Sequence, residues 1–167
     1  ENVFNMPDLD LLTLNRVLVE NDITVIIKPH PMARLDTKDY SGFSNILTID
    51  EKWLFNNNTT LYEMLANSDM LITDVSSVLL DYLLLDRPII CHFPDKGTYE
   101  ATRGLTWDFR PDEYGIPITY SQGEVVDYLL SYLAKGDFDK NDLAELKNLS
   151  HDIKWNFTDK LLSNSLY

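Results

Sequence analysis

The segment Lys28-Pro29-His30-Pro31 places a cation and an imidazole two residues apart, between two prolines. Because proline fixes φ and restricts the residue before it, we expect a stiff loop that presents His30. A histidine can move a proton near neutral pH or donate to a developing phosphate charge, and Lys28 can act as a point charge on a phosphate. The alternative is that the prolines only end a strand and that His30 is a solvated loop residue.

A second polar segment, Thr73–Ser77, supplies three hydroxyls and a carboxylate ahead of a helix-like sequence. Asp74 or Ser76 is expected to cap that helix. The remaining amide donors, the hydroxyls of Ser76 and Ser77, and the positive end of the helix would then bind a phosphate or diphosphate. The alternative is a segment that does no more than cap the helix.

Three further charged residues accompany these segments. Asp81 falls about one helical turn beyond Ser77, where it could accept hydrogen bonds from ribose or polyol hydroxyls; a solvated carboxylate is the alternative. Arg103 precedes Gly104 in a loop-rich stretch, where close backbone approach and a bidentate guanidinium would suit a phosphate. Arg87 precedes an apolar run, so we expect it at the opposite, amino end of the sheet with a structural role.

The scattered histidines and the single cysteine have no metal-ligand spacing, and we predict neither a metal site nor a cofactor. The sequence also lacks the glycine-rich fingerprints of dinucleotide-binding proteins and P-loop NTPases and the GxSxG elbow of hydrolases. These reaction classes are therefore disfavoured.

The elements that must position these residues alternate along the chain. Short apolar runs predict strands at Ile23–Ile27, Ile46–Ile49, Met70–Thr73, Ile89–His92 and Ile116–Thr119. Helical spacing predicts helices at Leu9–Glu20, Thr60–Asn67, Ser76–Leu85, Gly123–Ala134 and Asn141–Leu162, with a loop at Asn56–Asn58.

This alternation predicts an α/β fold with a Rossmann-like, doubly wound parallel sheet. The first apolar run has no polar alternation beyond Thr24, which is typical of a strand buried on both faces. Ligands of such sheets lie beyond the carboxyl ends of the strands. Lys28 and Asp74 follow two of the predicted strands directly, so both segments are expected at that edge.

The composition limits the function further. The chain has 167 residues, enough for one well-packed core, and its 14 basic against 27 acidic residues give a net charge of −13. Such an acidic surface repels phosphate backbones, so nucleic acid is not expected as a partner. Cys91 has no internal disulfide partner, and no long apolar stretch or signal core is present, which favours a reduced cytosol. Because the chain starts at Glu1 rather than at Met, we expect an excerpt of a longer polypeptide.

The order of the motifs is more specific than any one of them. The chain resembles the CDP-glycerol glycerophosphotransferase family, whose members build teichoic-acid-type polyol-phosphate polymers, in the succession of Lys28–Pro31, Ser68–Ser77, Asp81, Leu85–Ile90 and Arg103–Gly104. The resemblance extends from about Ile23 to about Pro117, and Ser68–Ile90 is its most diagnostic part.

The resemblance implies a two-lobed GT-B-type transferase whose carboxyl-terminal lobe binds the nucleotide donor. Residues 1–167 would be that single lobe, with an α/β core in 1–120 and helices in 121–167, and the amino-terminal lobe would be absent. The implied reaction moves glycerol phosphate, or a related polyol phosphate, from a CDP-activated donor such as CDP-glycerol to a polyol-phosphate or lipid-linked acceptor and releases CMP. The implied location is cytoplasmic, peripheral at the inner face of the cell membrane through parts outside this segment.

Individual positions carry the resemblance to specific roles. His30 matches the motif histidine that assists at the pyrophosphate, and Ser76, Ser77 and Arg103 match donor-binding positions. Asp81 also matches a position associated with the donor. The family's other important histidine, its proposed base, belongs to the amino-terminal lobe. We therefore expect this segment alone to bind nucleotide weakly and not to turn over.

Two other functions remain open at this point. A GT-B glycosyltransferase using a nucleotide sugar would share the crevice, although a sugar-contacting acidic residue near a glycine-rich loop would be expected. A non-catalytic nucleotide-binding or docking module would have little need for a rigidly presented imidazole. Arg103 is followed by Gly-Leu-Thr-Trp where family members commonly have Gly-Phe-Tyr, so the polyol and the acceptor also stay open.

Overall fold

Short helices and strands alternate along the chain in the computed structural model, which describes residues 10–29, 40–74, 76–93 and 111–135. The helices are α1 (Leu11–Glu20), α2 (Glu51–Asn56), α3 (Leu61–Ala66), α4 (Val78–Tyr82) and α5 (Gln122–Lys135). The strands are β1 (Val25–Ile27), β2 (Ile46–Thr48), β3 (Leu71–Thr73), β4 (Ile89–His92) and β5 (Ile118–Thr119). Short 3₁₀ helices lie at Leu83–Leu85 and Pro111–Tyr114. The predicted alternation of strands and helices is confirmed.

All the described strand pairs are parallel, but they form two sheets. In one, β1 pairs with β2; in the other, the order is β3-β4-β5. The single doubly wound sheet predicted from the sequence is therefore not present among the described strands. Part of the reason is that β1 is short: Pro29 carries no amide hydrogen and restricts Lys28, which ends the strand at Ile27.

The β1-β2 sheet is covered by α1 on one face. Leu14 and Leu18 of α1 form a buried cluster with Ile27 and Ile46. On the other face Ile26 and its register partner Leu47 are 44% and 48% exposed. The prediction that the first strand is buried on both faces is therefore wrong for the described structure, because its burial alternates as in a sheet with one covered face.

The β3-β4-β5 sheet contains the larger buried cluster. All four residues of β4 are buried, as expected for the central strand of three. Leu79, Tyr82 and Leu83 pack against Ile89 and Cys91 of this sheet. Just before β5, Gly115 has a φ of 72°, a left-handed conformation that glycine adopts without a steric penalty, and it turns the chain into the strand.

Arg87 links the end of α3 to the start of the same sheet. Its Nη1 donates to the carbonyl oxygens of Ala66, at 2.8 Å, and Ser68. The hydroxyl of Tyr82 also donates to the Ser68 carbonyl at 3.0 Å. Burial raises the pKa of Tyr82, so the hydroxyl stays protonated and acts as a donor throughout the neutral range. The predicted structural role of Arg87 at the amino end of the sheet is confirmed.

The helix α5 follows β5 of the three-stranded sheet and also contacts the buried cluster under α1. The Gln122 side chain accepts from the amide of Asp10 at 2.8 Å, and Val126 packs against the cluster under α1. This helix was predicted at Gly123–Ala134, and the observed bounds differ by one residue at each end. Within the described ranges, no helix has the length and apolar character that crossing a membrane requires.

Candidate functional site

The carboxyl ends of β3, β4 and β5 are level with one another. Thr73 is paired in register with Cys91, and His92 with Thr119. The Nδ1 atom of buried His92 lies 2.8 Å from the Thr119 hydroxyl oxygen, which ties the ends of β4 and β5 together. The segment after Thr73 is therefore held at one edge of a firmly packed sheet, as the parallel arrangement predicted.

Thr73 and Asp74 form the base of this segment. Thr73 is only 6% exposed, so its place in the sheet makes it a structural residue of the edge rather than an accessible hydroxyl. Asp74 is half-buried, and its carbonyl oxygen accepts from the amide of Ser76 at 2.8 Å, which turns the chain sharply toward α4.

Ser77 occupies the N-cap position of α4 but does not cap it. Its backbone is already in the right-handed helical conformation, and its side chain makes no capping hydrogen bond. The prediction that Asp74 or Ser76 occupies this N-cap position is thus wrong. The carbonyl oxygens of Ser76 and Ser77 instead accept from Leu79 and Leu80, in the tight spacing of a 3₁₀ turn.

At the starts of α1, α2 and α3, unlike at the start of α4, side chains form capping hydrogen bonds. Asp10 accepts from the amides of Leu12 and Thr13 at the start of α1, and Asp50 accepts from Trp53 at the start of α2. At the start of α3, Thr60 and Glu63 form a reciprocal capping box. At the start of α4, by contrast with these described helix starts, the Ser77 side chain is exposed and makes no capping hydrogen bond.

Asp81 lies one turn further along α4, on the same helical face as Ser77. Its Oδ2 accepts a hydrogen bond of 3.0 Å from the hydroxyl of Tyr62, the second residue of α3. Asp81 is half-buried, and the Tyr62 hydroxyl fixes one of its carboxylate oxygens. This combination suits an acceptor for ligand hydroxyls.

Lys28 lies directly after β1 and pairs with Glu51, the first residue of α2, at 2.7 Å. Its side chain is only 16% exposed, whereas that of Glu51 is 66% exposed. The contacts described for Lys28 therefore lead to α2 and not to the segment after β3. An ammonium carries three N–H donors and Glu51 takes one of them, so a phosphate can still bind beside the ion pair.

The structure thus brings Asp74, Ser76, Ser77 and Asp81 together on one β3-α4 connection and places Lys28 on a different sheet. His30 and Arg103, predicted as the catalytic histidine and a phosphate-binding arginine, lie outside the described residues. Among the residues that are described, no cluster of three metal-ligating side chains is found.

Sequence reasoning missed Glu51 and Tyr62, the partners of two predicted site residues. Glu51 could have been noticed, because it follows the second predicted strand at the same edge as Lys28. Tyr62 gave no usable signal, since an aromatic residue in a short helix is usually a packing residue. Its role depends on how α3 and α4 lie side by side.

Comparison with known proteins places this arrangement in a family. The sequence profile of the CDP-glycerol:poly(glycerophosphate) glycerophosphotransferase family matches residues 1–155. The chain belongs to this family. The suspected resemblance is therefore confirmed, and the family match extends over almost the whole chain.

Several curated relatives of this chain are teichoic acid primases or polymerases. The chain is 32% identical over 123 residues to the teichoic acid poly(glycerol phosphate) polymerase of Bacillus subtilis, covering 72% of this chain and 15% of that protein. It is 35% identical over 101 residues to the teichoic acid ribitol-phosphate primase of Bacillus spizizenii, covering 60% of this chain and 24% of that protein. The matched segments span less than half the length of these relatives.

Solved structures agree with this assignment. The chain superposes on the wall teichoic acid polymerase TagF with a TM-score of 0.56 at 25% identity, covering 88% of this chain and 38% of that chain. A variant of TagF soaked with CDPG gives a TM-score of 0.53 at 23% identity, covering 92% of this chain and 44% of that chain. The predicted α/β fold is thereby confirmed.

Proposed function

We propose that this chain is the nucleotide-binding lobe of a two-lobed GT-B-type enzyme that transfers glycerol phosphate from CDP-glycerol to a teichoic-acid-like or lipid-linked acceptor and releases CMP. The observation that carries the proposal is the connection after β3. There the Ser77 side chain makes no capping hydrogen bond, one turn before the fixed carboxylate of Asp81. Hydroxyls for phosphate and a carboxylate for a diol match a nucleotide-activated polyol.

The reaction follows from the chemistry of such a donor. A hydroxyl oxygen of the acceptor attacks the phosphorus that bears glycerol, and the bond from that phosphorus to the bridging oxygen of CMP breaks. The attacking hydroxyl loses its proton to a base, which the family resemblance locates in the amino-terminal lobe. His30, Arg103 and backbone amides stabilise the charge on the departing CMP, so catalysis rests on positioning and electrostatics.

Positively charged side chains are especially important for binding a pyrophosphate in so acidic a chain. The net charge is −13, and the field of so acidic a protein opposes a doubly charged pyrophosphate. Lys28 and Arg103 would offset this repulsion locally. Lys28 keeps donors for a phosphate, because Glu51 takes only one of its three N–H groups.

The domain boundaries and the location are part of the same proposal. Residues 1–120 are proposed as the α/β core of the lobe and residues 121–167 as its carboxyl-terminal part, in which α5 is described; the helix predicted at Asn141–Leu162 lies outside the described residues. The amino-terminal lobe supplies the acceptor site and the base. The enzyme works in the cytoplasm, peripherally at the inner face of the cell membrane, through parts outside this chain.

A second donor has specific support. One relative is a ribitol-phosphate primase, and the chain departs from the usual family residues after Arg103. CDP-ribitol would use the same cytidine and pyrophosphate contacts, because only the polyol beyond the second phosphate differs. Parallel assays with CDP-glycerol and CDP-ribitol decide between the two.

Ser77→Ala tests the proposed phosphate site. In the complete enzyme we expect the KM for the donor to rise about ten- to a hundredfold, which is the loss of one hydrogen bond to a charged group. Because Ser77 does not cap α4, the free energy of unfolding should change by less than about 0.5 kcal/mol, whereas loss of a capping serine costs about 1 kcal/mol. Initial-rate kinetics and urea denaturation measure the two effects.

Ser131→Ala is the matched control, because Ser131 lies on α5 away from the β3-α4 connection. We expect this variant to keep the native KM. If Ser77→Ala instead destabilised the fold and left the KM unchanged, Ser77 would be a capping residue and the proposed phosphate site would be wrong.

A further inference from the structure

The side chain of Tyr62 joins α3 to the proposed donor site on α4. Its hydroxyl donates to Oδ2 of Asp81 at 3.0 Å. No motif of the sequence singled out this residue as part of a site. The contact is informative because it acts on the carboxylate that lies about one turn beyond Ser77, four residues or about 6 Å along the helix.

The two ends of α3 contact different elements. The carbonyl oxygen of its last residue, Ala66, accepts from Arg87 at 2.8 Å, whereas Tyr62 in its first turn reaches Asp81 of α4. Tyr62 therefore ties the start of α3 to the helix that follows β3.

The backbone under Tyr62 is fixed by the capping box of α3. The amide of Thr60 donates to Glu63 at 2.8 Å, and the amide of Glu63 donates to the Thr60 hydroxyl at 3.2 Å. The amide of Thr60 beside Glu63 lowers the pKa of that carboxyl, so the cap is intact at neutral pH. Tyr62 is thus presented from a rigid first turn.

The exposure of Tyr62 argues against a purely structural role. Its side chain is 63% exposed, so its ring buries little apolar surface. What the contact does provide is a charge-assisted hydrogen bond that fixes the direction of one oxygen of Asp81. Fixing a carboxylate in this way is what recognition of a diol requires, because both hydroxyls must find their acceptors in one geometry.

We propose that Tyr62 is a positioning residue, which orients the Asp81 carboxylate to accept hydrogen bonds from a vicinal diol of the donor. The inference rests on the proposed function, and it adds a residue that determines donor affinity. Two parts of a CDP-polyol carry such a diol, the ribose and the glycerol. Both present the same chemistry to Asp81.

The test uses Tyr62→Phe in the complete enzyme, which removes only the hydroxyl. We expect the KM for CDP-glycerol to rise about five- to tenfold with kcat changed less than about twofold, because the bond acts in donor binding. In an Asp81→Asn background the same substitution should change the KM less than about twofold, since the two residues act as one unit. Tyr128→Phe, an exposed tyrosine on α5, is the control and should be silent.

Two donor analogues identify the diol. With a 2′-deoxyribose analogue of CDP-glycerol, the penalty of Tyr62→Phe should disappear if Asp81 binds the ribose. With CDP-propanol, which lacks the glycerol diol, the KM penalty of Tyr62→Phe should disappear if Asp81 binds the polyol. A penalty that persists with both analogues, an effect that adds to that of Asp81→Asn, or a KM equal to that of Tyr128→Phe would overturn the inference.

The failure of the proposed function gives a different result. In that case the unsubstituted enzyme releases no CMP from CDP-glycerol or CDP-ribitol, whatever residue is at position 62. If the unsubstituted enzyme is active and Tyr62→Phe is silent, only the role of Tyr62 is wrong.

Discussion

The complete enzyme carrying His30→Ala is expected to release CMP about a hundred- to ten-thousandfold more slowly than the unsubstituted enzyme, with a smaller change in the KM for the donor. His30 follows β1 between two prolines, and the family resemblance assigns it to the pyrophosphate. Its contribution arises when negative charge develops on the departing CMP, so its loss reduces kcat more than ground-state binding. Initial rates of CMP release at saturating CDP-glycerol measure the effect.

His151→Ala serves as the control for the His30 substitution, because position 151 lies far along the sequence from the motifs. It should retain the native rate. A His30→Ala enzyme that keeps more than about a third of the native kcat, well above the loss expected for a catalytic acid or base, would remove His30 from the mechanism.

The second large effect concerns the chain by itself. Residues 1–167 alone are expected to release no CMP above the uncatalysed background, and to bind CDP-glycerol more weakly than the complete enzyme. The reason is that the proposed base and the acceptor site belong to the other lobe, and a donor held by one lobe is not aligned with its acceptor. Overnight incubation with donor and acceptor, followed by chromatographic measurement of CMP, tests this.

The matched sample for that test is an equimolar mixture of the chain with separately produced amino-terminal lobe. Partial recovery of CMP release in the mixture would support the proposal that the two lobes supply different parts of the active site. Appreciable CMP release by residues 1–167 alone would show that the base lies within this chain and would overturn the proposed mechanism.

Much of the fold could be predicted because its strands carry local signals. β4 was predicted with the bounds it has, since Ile89–His92 is an apolar run between a proline and polar residues, and it is the buried central strand. The division into two sheets could not be predicted. Tertiary packing decides which strands pair with one another and leaves Ile26 and Leu47 on an exposed face, and periodicity does not carry that information.

The candidate site, like the fold, could be predicted only in part from the sequence. Ser77 and Asp81 were identified because both follow a buried strand at helical spacing. Their environments were not predictable: capping was expected of Asp74 or Ser76, whereas Ser77 stands at the N-cap position without a capping bond. The partners Tyr62 and Glu51 come from other elements, so only the packing of α3 and α2 reveals them.

Donor selectivity tests the central claim most directly. The measurement is a calorimetric titration of the complete enzyme, without acceptor, with CDP-glycerol, CMP, UDP and a UDP-sugar, repeated with Arg103→Ala. We predict that the cytidine ligands bind at least about tenfold more tightly than the uridine ligands, a difference of about 1.4 kcal/mol in binding free energy. We also predict that Arg103→Ala weakens the binding of the cytidine ligands. Tighter binding of the UDP-sugar would contradict the glycerophosphotransferase assignment of activity and favour a glycosyltransferase.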